Sequence, residues 1–144
     1  MVFAVDFDGT VVTHDYPEVG KYIGAQFVLK ELVSRGHQLV LFTMRSGKEL
    51  QDAVDWYEEH EIELWGINVN PQQYQWTTSP KAYANVYIDD AAINVPLCFD
   101  PKFHSRPFVD WITVAKKLEK MGLWDSQTTK KLKEEMDFKS LKMD

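Results

Sequence analysis

Asp6 and Asp8 are separated by a single residue at the end of an apolar run, in FAVDFDGTVV, residues 3–12. Like charges that close repel, and burying a carboxylate is costly. The pair is therefore either a surface turn or a place for something cationic. A second acidic pair, Asp89-Asp90, ends NVYIDD, residues 85–90, in the same way. A third run, HQLVLFT, residues 37–43, ends in Thr43. If these runs are neighbouring strands, four carboxylates and a hydroxyl converge on one edge. Such a set repels itself unless a hard divalent cation sits in it. Mg2+ suits it, because it takes oxygen ligands and keeps waters that a phosphate can replace. Taken singly, each feature has an ordinary reading: a turn for either acidic pair, a helix cap for Thr43, a surface lysine for Lys81. A calcium loop is excluded. It needs glycine at its sixth position and glutamate at its twelfth, and counting from Asp6 those positions are Val11 and Pro17.

The elements that must position these residues follow from periodicity. Val2–Val5 is short and apolar throughout, as expected of a strand buried on both faces. Residues 14–20 read as a loop through Pro17 and Gly20. Phe27, Val28, Leu29, Leu32 and Val33 lie at helical spacing from about Gly24 to Arg35, with Gly36 as the cap that ends the helix. Residues 37–43 predict a second strand. Ser46 and Glu49 are spaced as a capping box for a helix running to about Glu61. Ile67–Val69 predicts a short third strand, and residues 70–80 are polar and turn-rich. Val95–Phe99 predicts a further strand, Phe108–Met121 an amphipathic helix ended by Gly122, and residues 126–142 a charged helix. Strands alternating with helices imply a parallel sheet. Ligands of such sheets bind beyond the carboxyl ends of the strands, where the acidic residues lie.

The chain has 144 residues and 44% apolar content, enough for one domain with a real core. The division expected is a core domain over residues 1–125 and a charged helix or tail over 126–144. A single cysteine, Cys98, leaves no intramolecular disulfide, and it is expected to act as a small apolar side chain. The chain opens with no signal-like segment and has no 18-residue apolar run, so a soluble cytoplasmic protein without a membrane partner is expected. Charge is uneven. Residues 1–100 carry 6 Lys+Arg against 15 Asp+Glu, and residues 101–144 carry 10 against 7. An acidic body argues against non-specific nucleic-acid binding, which rests on neutralising phosphates. The basic tail reads as a solvated helical face.

Four stretches in order resemble the motifs of the haloacid dehalogenase superfamily in its phosphatase form. DFDGT resembles its first motif, and LFTMR its second, an apolar strand ending in threonine. Lys81 in TSPKAY is placed like the lysine of the third, and VYIDDAA resembles the acidic fourth. The resemblance spans about residues 2–95. It implies a Rossmann-like three-layer sandwich with a mainly parallel sheet. Residues 9–41 and 44–80 are too short to hold a cap domain beside their own elements, so a capless member is expected.

By that resemblance Asp6 is the nucleophile that becomes an aspartyl-phosphate. Asp8 protonates the leaving group and then activates water. Mg2+ is held by the Asp6 carboxylate, the Asp8 backbone carbonyl and Asp89, with Asp90 direct or through water. Thr43 and Lys81 hold phosphate oxygens, and Gly9 allows a tight turn whose backbone N–H groups are free for phosphate. The implied partner is a phosphorylated small molecule. An open site also suits a neighbouring subunit of a homo-oligomer. Arg45, two residues after Thr43, is a candidate for a second anionic group of the substrate or for a surface ion pair. Tyr74, Trp76 and Tyr83 are an apolar wall or a packing surface, and Trp111 and Trp124 are core residues. Two other functions stay open at this point: a phosphate- or metal-binding module with little turnover, and a phosphatase for nucleic-acid 3′ ends.

Overall fold

The computed structural model describes residues 1–143, and side chains for residues 1–140. Four strands form one parallel sheet: β1 (Val2–Val5), β2 (Gln38–Leu41), β3 (Gly66–Ile67) and β4 (Val86–Ile88), in the order β3-β2-β1-β4. The apolar run of β1 takes the central place, and all four of its residues are buried. Its neighbours are β2 and β4, the strands that lead to Thr43 and to Asp89-Asp90. Helices α1 (Ala25–Ser34) and α2 (Gly47–Glu59) connect β1 to β2 and β2 to β3.

The two sheet faces are covered differently. Phe3, Val5, Leu39, Leu41 and Ile88 face the main core, with Val28, Leu29 and Leu32 of α1 and Ala53 and Tyr57 of α2. The other face carries a small cluster of Val2, Ala4, Val40 and Ala84, flanked by Phe42 and Trp65. This is what right-handed crossovers require. Moving outward from β1 to β3 places both helices on one side, and the return from β3 to β4 places residues 68–85 on the other. That segment holds one 3₁₀ turn, Gln73–Gln75. The result is a Rossmann-like α/β fold with a parallel central sheet.

Most predicted elements form with shifted ends. The third strand is Gly66–Ile67 rather than Ile67–Val69, because Asn68 turns into the left-handed region at φ 57°. The strand within Val95–Phe99 is only β5 (Leu97–Cys98). It pairs antiparallel with β6 (Phe108–Val109) and lies outside the main sheet. The expected helix from Phe108 therefore starts later, as α3 (Trp111–Lys120), where Asp110 caps the Thr113 N–H. The capping box at Ser46 does not form: its side chain makes no cap hydrogen bond.

The charged C-terminal helix α4 (Ser126–Met143) packs on α3. Leu132 is fully buried in the main core, which contributes about 2 kcal/mol of burial. Tyr22 donates to Glu135 at 2.6 Å, tying the helix to the loop before α1. Among the described residues no helix is long and apolar enough to cross a membrane.

Candidate functional site

The β1–β4 pairing continues one rung past the strands, where the Asp6 N–H donates to Ile88 O at 2.9 Å. That rung sets Asp6 beside Asp89. Side chains alternate along a strand, so Asp6 shares the face of Ala4, and Asp89 that of Tyr87, the partner of Ala4 across the sheet. Asp6, Asp89 and Asp90 each offer a carboxylate oxygen within 4.8 Å of the others. All three are half-buried.

Thr10 organises the cluster. Its hydroxyl donates to Asp6 Oδ2 at 2.8 Å and accepts from the Asp90 N–H at 2.9 Å, with Asp90 Oδ1 at 3.4 Å. Thr10 is itself held: Trp111 Nε1 donates to its carbonyl at 2.7 Å, from a fully buried indole. Gly9 is needed here twice. Its φ of +78° is left-handed, and a Cβ would collide with the Asp90 carboxylate. The N–H groups from Gly9 to Val12 are not free, contrary to expectation. Gly9 donates to Val12 O at 2.8 Å and Thr10 to Phe7 O at 3.1 Å, which closes the turn on itself.

The electrostatics of the cluster are unbalanced. The Asp6 carboxyl is pushed up to about 8, first by burial, then by the charge of Asp89 and its contact with Asp90, against the lowering effect of the Thr10 hydroxyl. No lysine or arginine pairs with any of the three acids among the described residues. Three hard oxygen donors with no protein cation fit a divalent ion such as Mg2+ in both charge and donor type.

Asp8 is placed elsewhere. Both of its oxygens are engaged by Arg45, Nε to Oδ2 and Nη2 to Oδ1, each at 2.8 Å. The Arg45 side chain is 1% exposed and that of Asp8 13%. Arg45 is therefore neither a surface ion pair nor a free hand for a substrate anion, and the carboxylate of Asp8 is outside the three-acid cluster.

Thr43 lies one residue past the rung where Phe42 N–H donates to Val5 O. Its N–H is held by Asn68 Oδ1 at 2.8 Å, and its hydroxyl accepts from the Arg45 N–H at 3.1 Å. Lys81 is exposed on the segment opposite the helices. Its ammonium lies 5.6 Å from the centre of the Tyr87 ring, on the sheet face that carries Asp6, and it makes no ion pair among the described residues.

Tyr74, Trp76 and Tyr83 are all exposed, and Trp76 and Tyr83 meet edge to face at 5.9 Å. Gln73 braces their segment by donating to the carbonyls of Ser79 and Lys81 and accepting from Tyr83 N–H. Trp111 and Trp124 are core residues, as expected. A cavity of about 630 Å3 lies away from the three acids, lined by Lys21, Cys98, Phe108, Trp111 and Met136 among others. Burial pushes the Cys98 thiol up to about 11, so it stays protonated there.

The fold and this strand edge define a class: a Rossmann-like α/β protein with an acidic, oxygen-rich site beyond the carboxyl ends of its parallel strands. No family model matches the chain, and no curated protein does. A solved structure is similar, that of a conserved protein coded by a locus of Bacteroides thetaiotaomicron. It shares 38% identity over 65% of this chain and 78% of that chain, with a TM-score of 0.59. The chain belongs to the same family as that Bacteroides protein.

Proposed function

We propose that the protein is a Mg2+-dependent phosphomonoester hydrolase of the capless haloacid dehalogenase type, acting through an aspartyl-phosphate on a phosphorylated small molecule. One observation carries the reading. Asp6, Asp89 and Asp90 meet at adjacent strand ends with their ligand oxygens within 4.8 Å and no protein cation among them. The order of DFDGT, LFTMR, Lys81 and VYIDDAA along the chain supports it.

In this reading Asp6 attacks phosphorus. An oxygen–phosphorus bond forms at Asp6 as the bond to the leaving oxygen breaks. Asp8 gives that oxygen a proton, then takes one from the water that hydrolyses the acyl phosphate. Asp6, Asp89 and Asp90 would hold Mg2+, which when bound offsets the charge of the carboxylates and the phosphate. Thr43 and Lys81 would bind phosphate oxygens, Lys81 after swinging from the Tyr87 ring.

The test is phosphate release from p-nitrophenyl phosphate and a panel of phosphorylated metabolites, with and without Mg2+. Turnover that needs Mg2+ and is lost in Asp6→Asn is the expected result. A second reading, a phosphate- or metal-binding module with little turnover, draws on the engagement of both Asp8 oxygens by Arg45. Stoichiometric Mg2+ and phosphate binding with no release across the panel would replace the first reading with the second.

A further inference from the structure

The guanidinium of Arg45 has five N–H donors in a rigid planar fork. Two go to the oxygens of Asp8, as described. Nη2 also donates to Glu18 O at 2.8 Å, and Nη1 to Pro17 O at 3.2 Å and Glu49 O at 3.0 Å. All five are engaged. The rings of Phe7 and Tyr16 lie 5.1 and 5.2 Å from the guanidinium carbon. One buried side chain thus joins Asp8 in the turn after β1, the loop at residues 17–18 and the first turn of α2.

An arginine used only to stabilise the loop would not need Asp8. Here the two shortest charged contacts go to the one carboxylate that the hydrolase reading requires to move protons. A proton donor works only from a defined place, and a misplacement of about 1 Å can cost roughly 100-fold. We propose that Arg45 is the positioning residue for Asp8: it sets where the Asp8 carboxylate stands relative to the leaving oxygen, and it ties that position to the loop at residues 17–18. This rests on the hydrolase reading above. As it stands, both Asp8 oxygens are engaged by the fork. For Asp8 to deliver a proton to the leaving oxygen, one of the two contacts opens. The three carbonyls keep the guanidinium anchored while it does.

Two esters with the same ring test the inference. In p-nitrophenyl phosphate the leaving oxygen departs without much need of a proton; in phenyl phosphate it needs one. Arg45→Lys keeps the charge and loses the fork. With Mg2+ present, its kcat/KM, which ends at departure of the leaving group and so omits the hydrolysis step common to both esters, should fall about 100-fold on phenyl phosphate and by no more than about 5-fold on p-nitrophenyl phosphate. The ratio of the two rates within one preparation does not depend on how much of that preparation is folded. Tyr16→Ala gives the same test if Arg45→Lys does not fold, because Tyr16 is 53% exposed and its ring lies 5.2 Å from the guanidinium carbon. It should bias the ratio in the same direction, by about 3-fold. A ratio equal to wild type in the folded variants overturns the positioning role and leaves Arg45 a structural clasp. Wild type that releases phosphate from neither ester is a different failure: it removes the hydrolase reading, and this inference with it.

Discussion

Asp6 and Asp8 leave the same strand end two residues apart, yet their surroundings are opposites. Asp6 faces two further acids and a neutral hydroxyl, and its carboxyl is pushed up to about 8. Asp8 has a buried arginine across both of its oxygens. Strand alternation places residues two apart on the same face, so it cannot create this difference. It comes from what each meets: the end of β4 for one, and the stretch between β2 and α2 for the other. The difference between the two carboxylates is built by neighbours far along the chain.

Exchanging each acid for its amide should break the comparison most visibly. Asp6→Asn removes the proposed nucleophile, and Mg2+-dependent phosphate release should drop roughly 10,000-fold or more. The same change should leave the metal-free protein at least as stable at neutral pH, because folding no longer requires a proton to be taken up at position 6. Asp8→Asn should lower activity too, but it should also destabilise the fold. A thermal melt of both variants in EDTA reads this contrast, and equal melting shifts of the same sign would erase it.

The arginine side of the comparison comes next in size. Arg45→Met leaves Asp8 with an uncompensated, mostly buried charge and takes a donor from three carbonyls. Breaking one partner of such a pair costs about 3–5 kcal/mol. Urea unfolding of Arg45→Met should show a loss in that range, and the double variant Arg45→Met/Asp8→Leu should recover part of it. A loss near zero for the single variant would mean that the clasp is not energetically coupled to the fold.

The acidic side of this contrast was legible in the sequence, and the basic side was not. Apolar runs ending in aspartate pairs report strand ends directly, and a parallel sheet brings strand ends together. This is why Asp6, Asp8, Asp89 and Asp90 could be grouped from spacing, although the structure brings only the carboxylates of Asp6, Asp89 and Asp90 together. Arg45 gave no such signal. An arginine two residues past a strand reads as exposed, and its burial depends on where a loop thirty residues earlier turns its carbonyls. Thr10 was passed over for the same reason, since its role appears only when Asp90, eighty residues on, and Trp111 close around it. The late strand and helix boundaries slipped because β5 and β6 pair with each other rather than with the main sheet.

The pH dependence of stability sharpens the contrast further. The folded-state affinity of Asp6 for its proton is raised from the ordinary 3.8 to about 8, so between those values the folded chain holds a proton that the unfolded chain has lost. Stability of the metal-free protein therefore falls as pH climbs through that window. His37 works against this below neutrality, because burial lowers its affinity for a proton. The difference between wild type and Asp6→Asn isolates the Asp6 part. Melting temperatures in EDTA at pH 5.5 and 8.5 should diverge between the two proteins, with wild type losing more. Mg2+ at pH 8.5 should return most of the loss. A wild-type curve that stays parallel to that of Asp6→Asn would mean that Asp6 titrates normally.

The smallest effect concerns the support behind the cluster. Trp111 is fully buried and donates its indole N–H to the carbonyl of Thr10, whose hydroxyl bonds Asp6. Trp111→Phe keeps a ring in the core but leaves that carbonyl without its partner and a small void where the second ring was. The lost hydrogen bond costs about 1–2 kcal/mol, and the void adds to it. If Thr10 is held in place by this contact, Mg2+ affinity should weaken as well, because the hydroxyl that orients Asp6 is freed to shift. Thr10→Val removes the hydroxyl and keeps the indole contact, so it should weaken Mg2+ binding while costing less stability than Trp111→Phe. Isothermal titration of Mg2+ alongside melting curves separates the two. If Trp111→Phe loses stability but binds Mg2+ like wild type, the indole serves the core alone, and the acidic cluster owes its geometry to the sheet rather than to the layer behind it.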